Sequence, residues 1–181
     1  MRQTDFNKAV SWTRGLLKRN DWVILDTETT GLGETDEIVQ IAILSFDGTV
    51  LLDTLVRPTQ PIPASATAIH NITKSDVANA PVFSAIYENI KSILAGKTVI
   101  IYNATYDVRL LRQTLSLYNL PPFGFEDEKA ECAMLQYSAW KGELWSEGGY
   151  RWQKLPGGDH TALGDSQATL RIIRRMAESP I

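Results

Sequence analysis

The sequence predicts an α/β fold built on a mixed sheet, and three observations carry that reading. Trp22 to Leu25 (W-V-I-L) is an apolar, β-leaning run that delivers Asp26 and Glu28 before stopping in a Thr-Thr-Gly turn. Glu37 to Phe46 and Thr49 to Val56 are two further apolar, β-branched runs, joined by the hairpin signal Asp47-Gly48. Beyond them, strand-like and helix-like patterns alternate, as in α/β domains with mixed sheets. A chain of 181 residues suits one domain, and 44% hydrophobic residues suffice for an ordinary core.

Taken in order, Phe6 to Lys18 spaces Phe6, Val10, Trp12, Leu16 and Leu17 at loosely helical intervals. Residues 1–20 therefore read as a helix packed on the domain, which occupies 21–181, with Asn20-Asp21 breaking it before the first strand. Arg14, Lys18 and Arg19 read as its solvated face. After the third strand, Pro58, Pro61 and Pro63 mark a surface connection. Thr73-Lys74-Ser75-Asp76 has the capping-box pattern of a short helix. Pro81 opens a helix through Leu94 with an apolar stripe of Val82, Ile86, Ile90, Ile93 and Leu94. Thr98 to Tyr102 is a short apolar strand, and Asn103 to Tyr118 a helix stopped before Pro121-Pro122. Glu131 to Lys141 reads as a helix, Gly142 to Gly158 as a Gly-rich segment, and His160 to Ala177 as the last helix.

Composition removes several function classes. Net charge is −3 with a pI near 5.4, so no global basic field marks a high-affinity, sequence-specific DNA binder. An enzyme whose metal ions bring positive charge to a phosphate is less affected. The single cysteine, Cys132, excludes an intramolecular disulfide framework and a Cys-based zinc site, and suits a reducing cytoplasm. The polar N-terminus and the lack of any apolar run near the ~20 residues that span a bilayer predict no signal peptide and no membrane contact.

Three polar stations carry the chemistry. Asp26 and Glu28, two apart on an extended segment, project to the same face at the end of a buried strand. Burying two adjacent anions costs several kcal/mol unless a cation compensates, and hard oxygen ligands favour Mg2+, Mn2+ or Ca2+. The second station is Y-N-A-T-Y-D, with Asp107 in the first turn of a helix; alone it reads as a carboxylate favouring a helix N-terminus. The third is H-T-A-L-G-D, with His160 on a Gly-flanked approach and Asp165 among apolar neighbours. Four carboxylates and a histidine suit two-metal hydrolysis of a phosphodiester, with the imidazole as base near neutral pH. A rival calcium-loop reading uses Asp26, Glu28, Thr30, Gly31 and Glu37, but departs from its template at Glu28 and Thr30 and lacks flanking helices.

D-T-E-T-T-G-L, N-A-T-Y-D and H-T-A-L-G-D resemble the three motifs of the DEDDh 3′→5′ exonucleases, the DnaQ-like group that includes the polymerase III epsilon proofreading subunit and exonuclease X. The likeness covers roughly Trp22 to Met176, with E-I-V-Q-I-A and A-I-H-N-I-T as intermediate landmarks. It implies an RNase H-like fold, a five-stranded mixed sheet flanked by helices, with 21–181 as the exonuclease domain. It further implies Asp26, Glu28, Asp107 and Asp165 as ligands of two Mg2+ or Mn2+ ions, with His160 as general base. Leu32 and Ile69 would pack on the 3′-terminal bases, and the backbone at Thr29 would approach the terminal sugar. Tyr102 and Tyr106 depart from the usual His and Phe of the second motif. Tyr106, a candidate substrate contact, is expected to place its hydroxyl either near the metal or, satisfied, in the core. Asn71 likewise replaces a usual Gly, and His70 reads as local structure.

DNA is favoured over RNA because D-T-E-T-T-G-L is more similar to the DNA-trimming branch. The implied partners are a nucleic-acid 3′ end and, through the family, DNA polymerase or repair proteins. The short chain after the last helix favours a standalone enzyme, or one that finds a partner through its surface, over a tethered proofreader, and no stretch marks an oligomer interface. Lys141, Trp145, Tyr150, Arg151, Trp152 and Lys154 interleave aromatic and basic residues before His160. Such a segment either stacks bases and holds phosphates of a single strand or packs its rings inward. An inert nucleic-acid-binding module with the same fold would be expected to lack one of the five polar positions; all are present.

Overall fold

Period-two alternation along the first strand sets the layering. In the computed structural model, which describes residues 3–125 and 130–181, β1 (Trp22–Thr29) lies at the centre of a five-stranded sheet of order β3-β2-β1-β4-β5. β2 (Ile38–Ser45) and β3 (Val50–Leu55) extend it as antiparallel neighbours; β4 (Thr98–Ile101) and β5 (Ala130–Cys132) extend it in parallel on the other side. The helices are α1 (Gln3–Leu16), α2 (Ala64–His70), α3 (Lys74–Val77), α4 (Phe83–Leu94), α5 (Ala104–Leu117), α6 (Ala133–Lys141) and α7 (Ala162–Ala177).

Val23 and Leu25 face a core completed by Phe83, Tyr87 and Ile90 of α4 and Val108, Leu111 and Leu115 of α5. Trp22 and Ile24 face the opposite core, filled by Leu16 of α1, Tyr137 of α6 and Leu170, Ile173 and Met176 of α7. Burying each large apolar side chain contributes about 1.5–3 kcal/mol, an upper figure for an extended-chain reference. The sheet is thus covered on both faces, as its apolar strands require.

α1 is latched rather than merely packed. The Trp22 indole donates to the Leu16 carbonyl at 2.8 Å, and the Trp12 indole donates to the Glu131 carboxylate. Arg14, Lys18 and Arg19 are exposed, as the sequence predicts, and two of them also have specific partners: Arg14 reaches the Ala177 and Ser179 carbonyls, and Arg19 reaches Asp21 and Thr98.

Besides the last helix, which starts at Ala162 rather than His160, two elements differ from expectation. The segment after Pro63 contains the helix α2 rather than a plain connection, because Pro63 is extended at its N-cap and Ala64–Ala68 favours helix. The segment from Glu131 begins as β5, whose three residues pair with Val99 to Ile101, and turns helical only at Ala133. The capping box at Thr73 and Asp76 forms as expected. α5 ends before the prolines because Asn119 takes a left-handed conformation (φ 51°). No helix of the described residues is long and apolar enough to cross a membrane.

Candidate active site

The site lies where β1 outruns its neighbour. β4 pairs with β1 only from Trp22 to Ile24, and the β1–β2 register slips between Glu28 and Thr29. The free edge is taken up by the first turn of α5. The Thr27 amide and hydroxyl donate to Asp107 Oδ1 at 3.1 and 2.7 Å, so this buried carboxylate replaces a missing strand partner. From the other face, α7 brings Asp165. The start of α7 is fixed by its Thr161 cap, which accepts the Gly164 amide, and by the Ala162 amide, which donates to Gln40 on β2.

Oxygen atoms of Asp26, Glu28 and Asp165 all lie within 4.8 Å of one another. Asp107 stands outside that cluster but lines the same cavity of about 670 Å³, as do His160, Tyr102, Asn103, Tyr106 and Lys154. The structure therefore brings all five polar positions read from the sequence to one place.

Their electrostatics follow from crowding. Burial, reinforced by Asp107, Asp165 and Glu28, pushes the Asp26 carboxyl well above its ordinary range. Burial and then the neighbouring acids raise Glu28 to about 8. Burial raises Asp107 to about 7 against the opposing hydrogen bonds from Thr27. Among the lining residues Lys154 is the one lysine or arginine. A group of oxygen donors this close, without enough cationic charge around it, fits a hard divalent ion.

His160 is exposed and lies outside α7, with a left-handed backbone (φ 60°) that costs a non-glycine residue about 1 kcal/mol. The last helix begins at Ala162, not at His160, because the chain must turn over Asp165. The amides of Asp159 and His160 both donate to Asp165 Oδ1, at 2.9 and 3.2 Å. Gly158 permits this wrap, since a Cβ there would lie 2.7 Å from the same oxygen. Asp159 in turn accepts from the Thr161 amide and hydroxyl, and a Cβ on Gly164 would lie 2.0 Å from Asp159 Oδ1.

A second cleft of about 360 Å³ adjoins the first, sharing Thr27, Glu28, Leu32 and Tyr106 with it. Thr29, Leu32, Ile69 and Tyr106, the expected substrate contacts, all line it, with Leu32 78% and Ile69 55% exposed. His70 Nδ1 accepts the Ile72 amide, so its Nε2 donates to the Thr29 carbonyl at 3.1 Å. The Tyr106 hydroxyl donates to the Gly31 carbonyl and meets Thr29 Oγ1, each at 2.7 Å. Arg109 donates to the Leu32 and Gly33 carbonyls at 3.0 Å and lies over the Tyr106 ring.

The calcium-loop alternative does not survive. Its flanks are β1 and β2, and the Glu37 carboxylate is taken by Thr59 and the Gln60 amide. Sequence reading passed over Thr27, Gln40, Arg109 and Asp159. Thr27 was available as the polar residue between the two carboxylates, whereas Gln40 and Arg109 act across the fold and leave no local signal.

A carboxylate cluster at the end of the central strand of an RNase H-like sheet defines a class of metal-dependent nucleases. The family model described as "RNase_T: Exonuclease" matches residues 23–173, and the chain belongs to this DnaQ-like 3′→5′ exonuclease family. It is similar to a protein of Escherichia phage 186 called "Uncharacterized exonuclease CP81", 42% identical over 95% of this chain and 96% of the relative. A "DNA polymerase III subunit epsilon-like protein" of Rhodobacter capsulatus is 34% identical over 88% of this chain, which spans only 24% of that relative. Escherichia coli exonuclease I in complex with a dT13 oligonucleotide shares the fold, with a TM-score of 0.72 at 15% identity, over 88% of this chain and 41% of that one.

Proposed function

We propose that this exonuclease releases nucleoside 5′-monophosphates from the 3′ end of DNA, preferentially single-stranded, with Mg2+ or Mn2+ as the working ions. The observation that carries the reading is the convergence of Asp26, Glu28 and Asp165 with Asp107 and His160 on one cavity. The DNA assignment draws support from relatives named for DNA polymerase III and from a fold neighbour bound to deoxyoligonucleotides. A DNA polymerase or repair protein is the class of protein partner that goes with it.

Asp26, Glu28, Asp107 and Asp165 would hold two divalent ions. Such a pair supplies positive charge at the attacking and leaving oxygens of an in-line displacement. His160 takes the proton of the attacking water. Its amide is tied to Asp165, so the base and one ligand are positioned together. Leu32 and Ile69 present apolar surface to the terminal bases, and the Thr29 peptide, oriented by His70, faces the terminal sugar.

The deciding experiment incubates the protein with 5′-labelled single-stranded DNA and RNA oligomers in Mg2+, Mn2+, Ca2+ or chelator. Expected is stepwise mononucleotide release from DNA in Mg2+ and Mn2+, and none with chelator. Faster release from RNA would make the enzyme an exoribonuclease; binding without release would make it an inert nucleic-acid module.

A further inference from the structure

The segment between α6 and α7 carries two exposed indoles in different settings. Trp145 belongs to a small hairpin closed by its amide on the Gly149 carbonyl and by the Leu144–Tyr150 bridge, and the Arg151 guanidinium lies 4.9 Å from its ring centre. The Tyr150 hydroxyl turns back to Asp5. These side chains serve one another and the N-terminal helix.

Trp152 is placed otherwise. It is 73% exposed, against 51% for Trp145. The next residue, Gln153, is pinned by its carbonyl to the Tyr102 hydroxyl at 2.7 Å, and Tyr102 lines the carboxylate cavity. Lys154 and Leu155, which follow, line that cavity as well. The anchored backbone therefore holds an exposed indole two residues from Lys154, a basic residue on the cavity wall.

We infer that Trp152 and Lys154 form a strand-binding subsite at the mouth of the cavity, and that its ligand is unpaired nucleic acid. The inference rests on the exonuclease reading of that cavity. A cavity dominated by carboxylates repels a polyanion, and Lys154 supplies the local cation that meets a phosphate. A base stacks on the Trp152 face, and only an unpaired strand offers a free base face to it. Stacking of this kind is tolerant of sequence, since every base has a π-face. The subsite thus selects strandedness without selecting sequence.

The test is fluorescence anisotropy of a labelled thymidine oligomer bound to the full chain in chelator, so that no cleavage contributes. Trp152→Ala is expected to weaken binding at least about 5-fold, the low end of one base–aromatic stack. Trp152→Phe is expected to restore it to within about 3-fold, because a ring remains. Lys154→Ala is expected to lower the slope of log affinity against log salt by about 0.7, one single-strand phosphate. Equal affinity of Trp152→Ala and wild type, or no wild-type binding, overturns the subsite. In the first case, mononucleotide release by wild type in Mg2+ leaves the exonuclease reading standing. Binding lost in Trp152→Ala but no wild-type release would remove the nuclease reading and keep the subsite.

Discussion

The wall of the cleft that carries Leu32 and the wall that carries His160 are built on opposite terms. The first is cross-tied to a rigid helix: Tyr106, Arg109 and Gln113 of α5 all reach carbonyls between Gly31 and Asp36. The second is a turn held within its own short segment, where two backbone amides reach Asp165 and the Thr161 amide and hydroxyl reach Asp159. The contacts proposed to position a chain end are thus fixed in advance, while the proposed base depends on a group that is also a candidate metal ligand. Positioning is robust on one side and conditional on the other.

Breaking the conditional side should have the largest effect. Asp165→Ala removes a proposed ligand and the acceptor that holds the His160 turn, so its loss of turnover should exceed that of His160→Ala. The latter should cost about 10²-fold or more, the usual worth of a positioned base, with thermal unfolding unchanged. Single-turnover rates on a labelled oligomer compare the two, and a milder effect of Asp165→Ala would show that the two roles are not coupled.

The carboxylates make a further prediction for the metal-free protein. Unfolded Asp and Glu titrate near pH 4, whereas Glu28 is raised to about 8, Asp107 to about 7 and Asp26 well above its ordinary value, each first by burial. Over that interval the folded chain holds protons that the unfolded chain has released, so stability falls as pH rises. Melting in chelator should occur at a higher temperature at pH 5.5 than at pH 8, and added Mg2+ or Mn2+ should raise it more at pH 8. A metal-free melting temperature that climbs between these values would contradict the crowding of the acids.

On the rigid side the effects should be smaller. Arg109→Ala should raise KM about 10-fold, the value of one charge-assisted hydrogen bond, and more than it lowers kcat. Arg109→Lys should recover part of it, since one donor can still reach a carbonyl. Tyr106→Phe should cost about 1 kcal/mol of stability, measured by denaturant unfolding, with little change in rate.

Much of this was legible in the chain itself. The apolar run of β1, the Asp47-Gly48 hairpin and the stripe of α4 come from local pattern, which tertiary packing reinforces here. β5 was not legible because three half-buried residues, Ala130 to Cys132, carry no period and lead directly into a helix. At the site, the residue types and order of Asp26, Glu28, Asp107, His160 and Asp165 were readable, but the tie between Thr27 and Asp107 was not. That contact joins residues 80 apart, and nothing in either segment announces the other. The aromatic-basic segment divides as neither simple reading foresaw: Tyr150 turns inward, and Trp152 stays in water.

The clash that any side chain at Gly164 would make with Asp159 has a consequence for anyone charting tolerance to mutation along this chain. A side chain at position 164 must push the Asp159 carboxylate aside, so substitutions there should carry a cost although its own side chain is a hydrogen. Displacing Asp159 would strip the Thr161 amide and hydroxyl of their acceptor and unseat the cap of α7, and with it the aim of Asp165. An inactivity map would then credit chemistry to a residue that offers a capping amide and, in place of a side chain, vacant room.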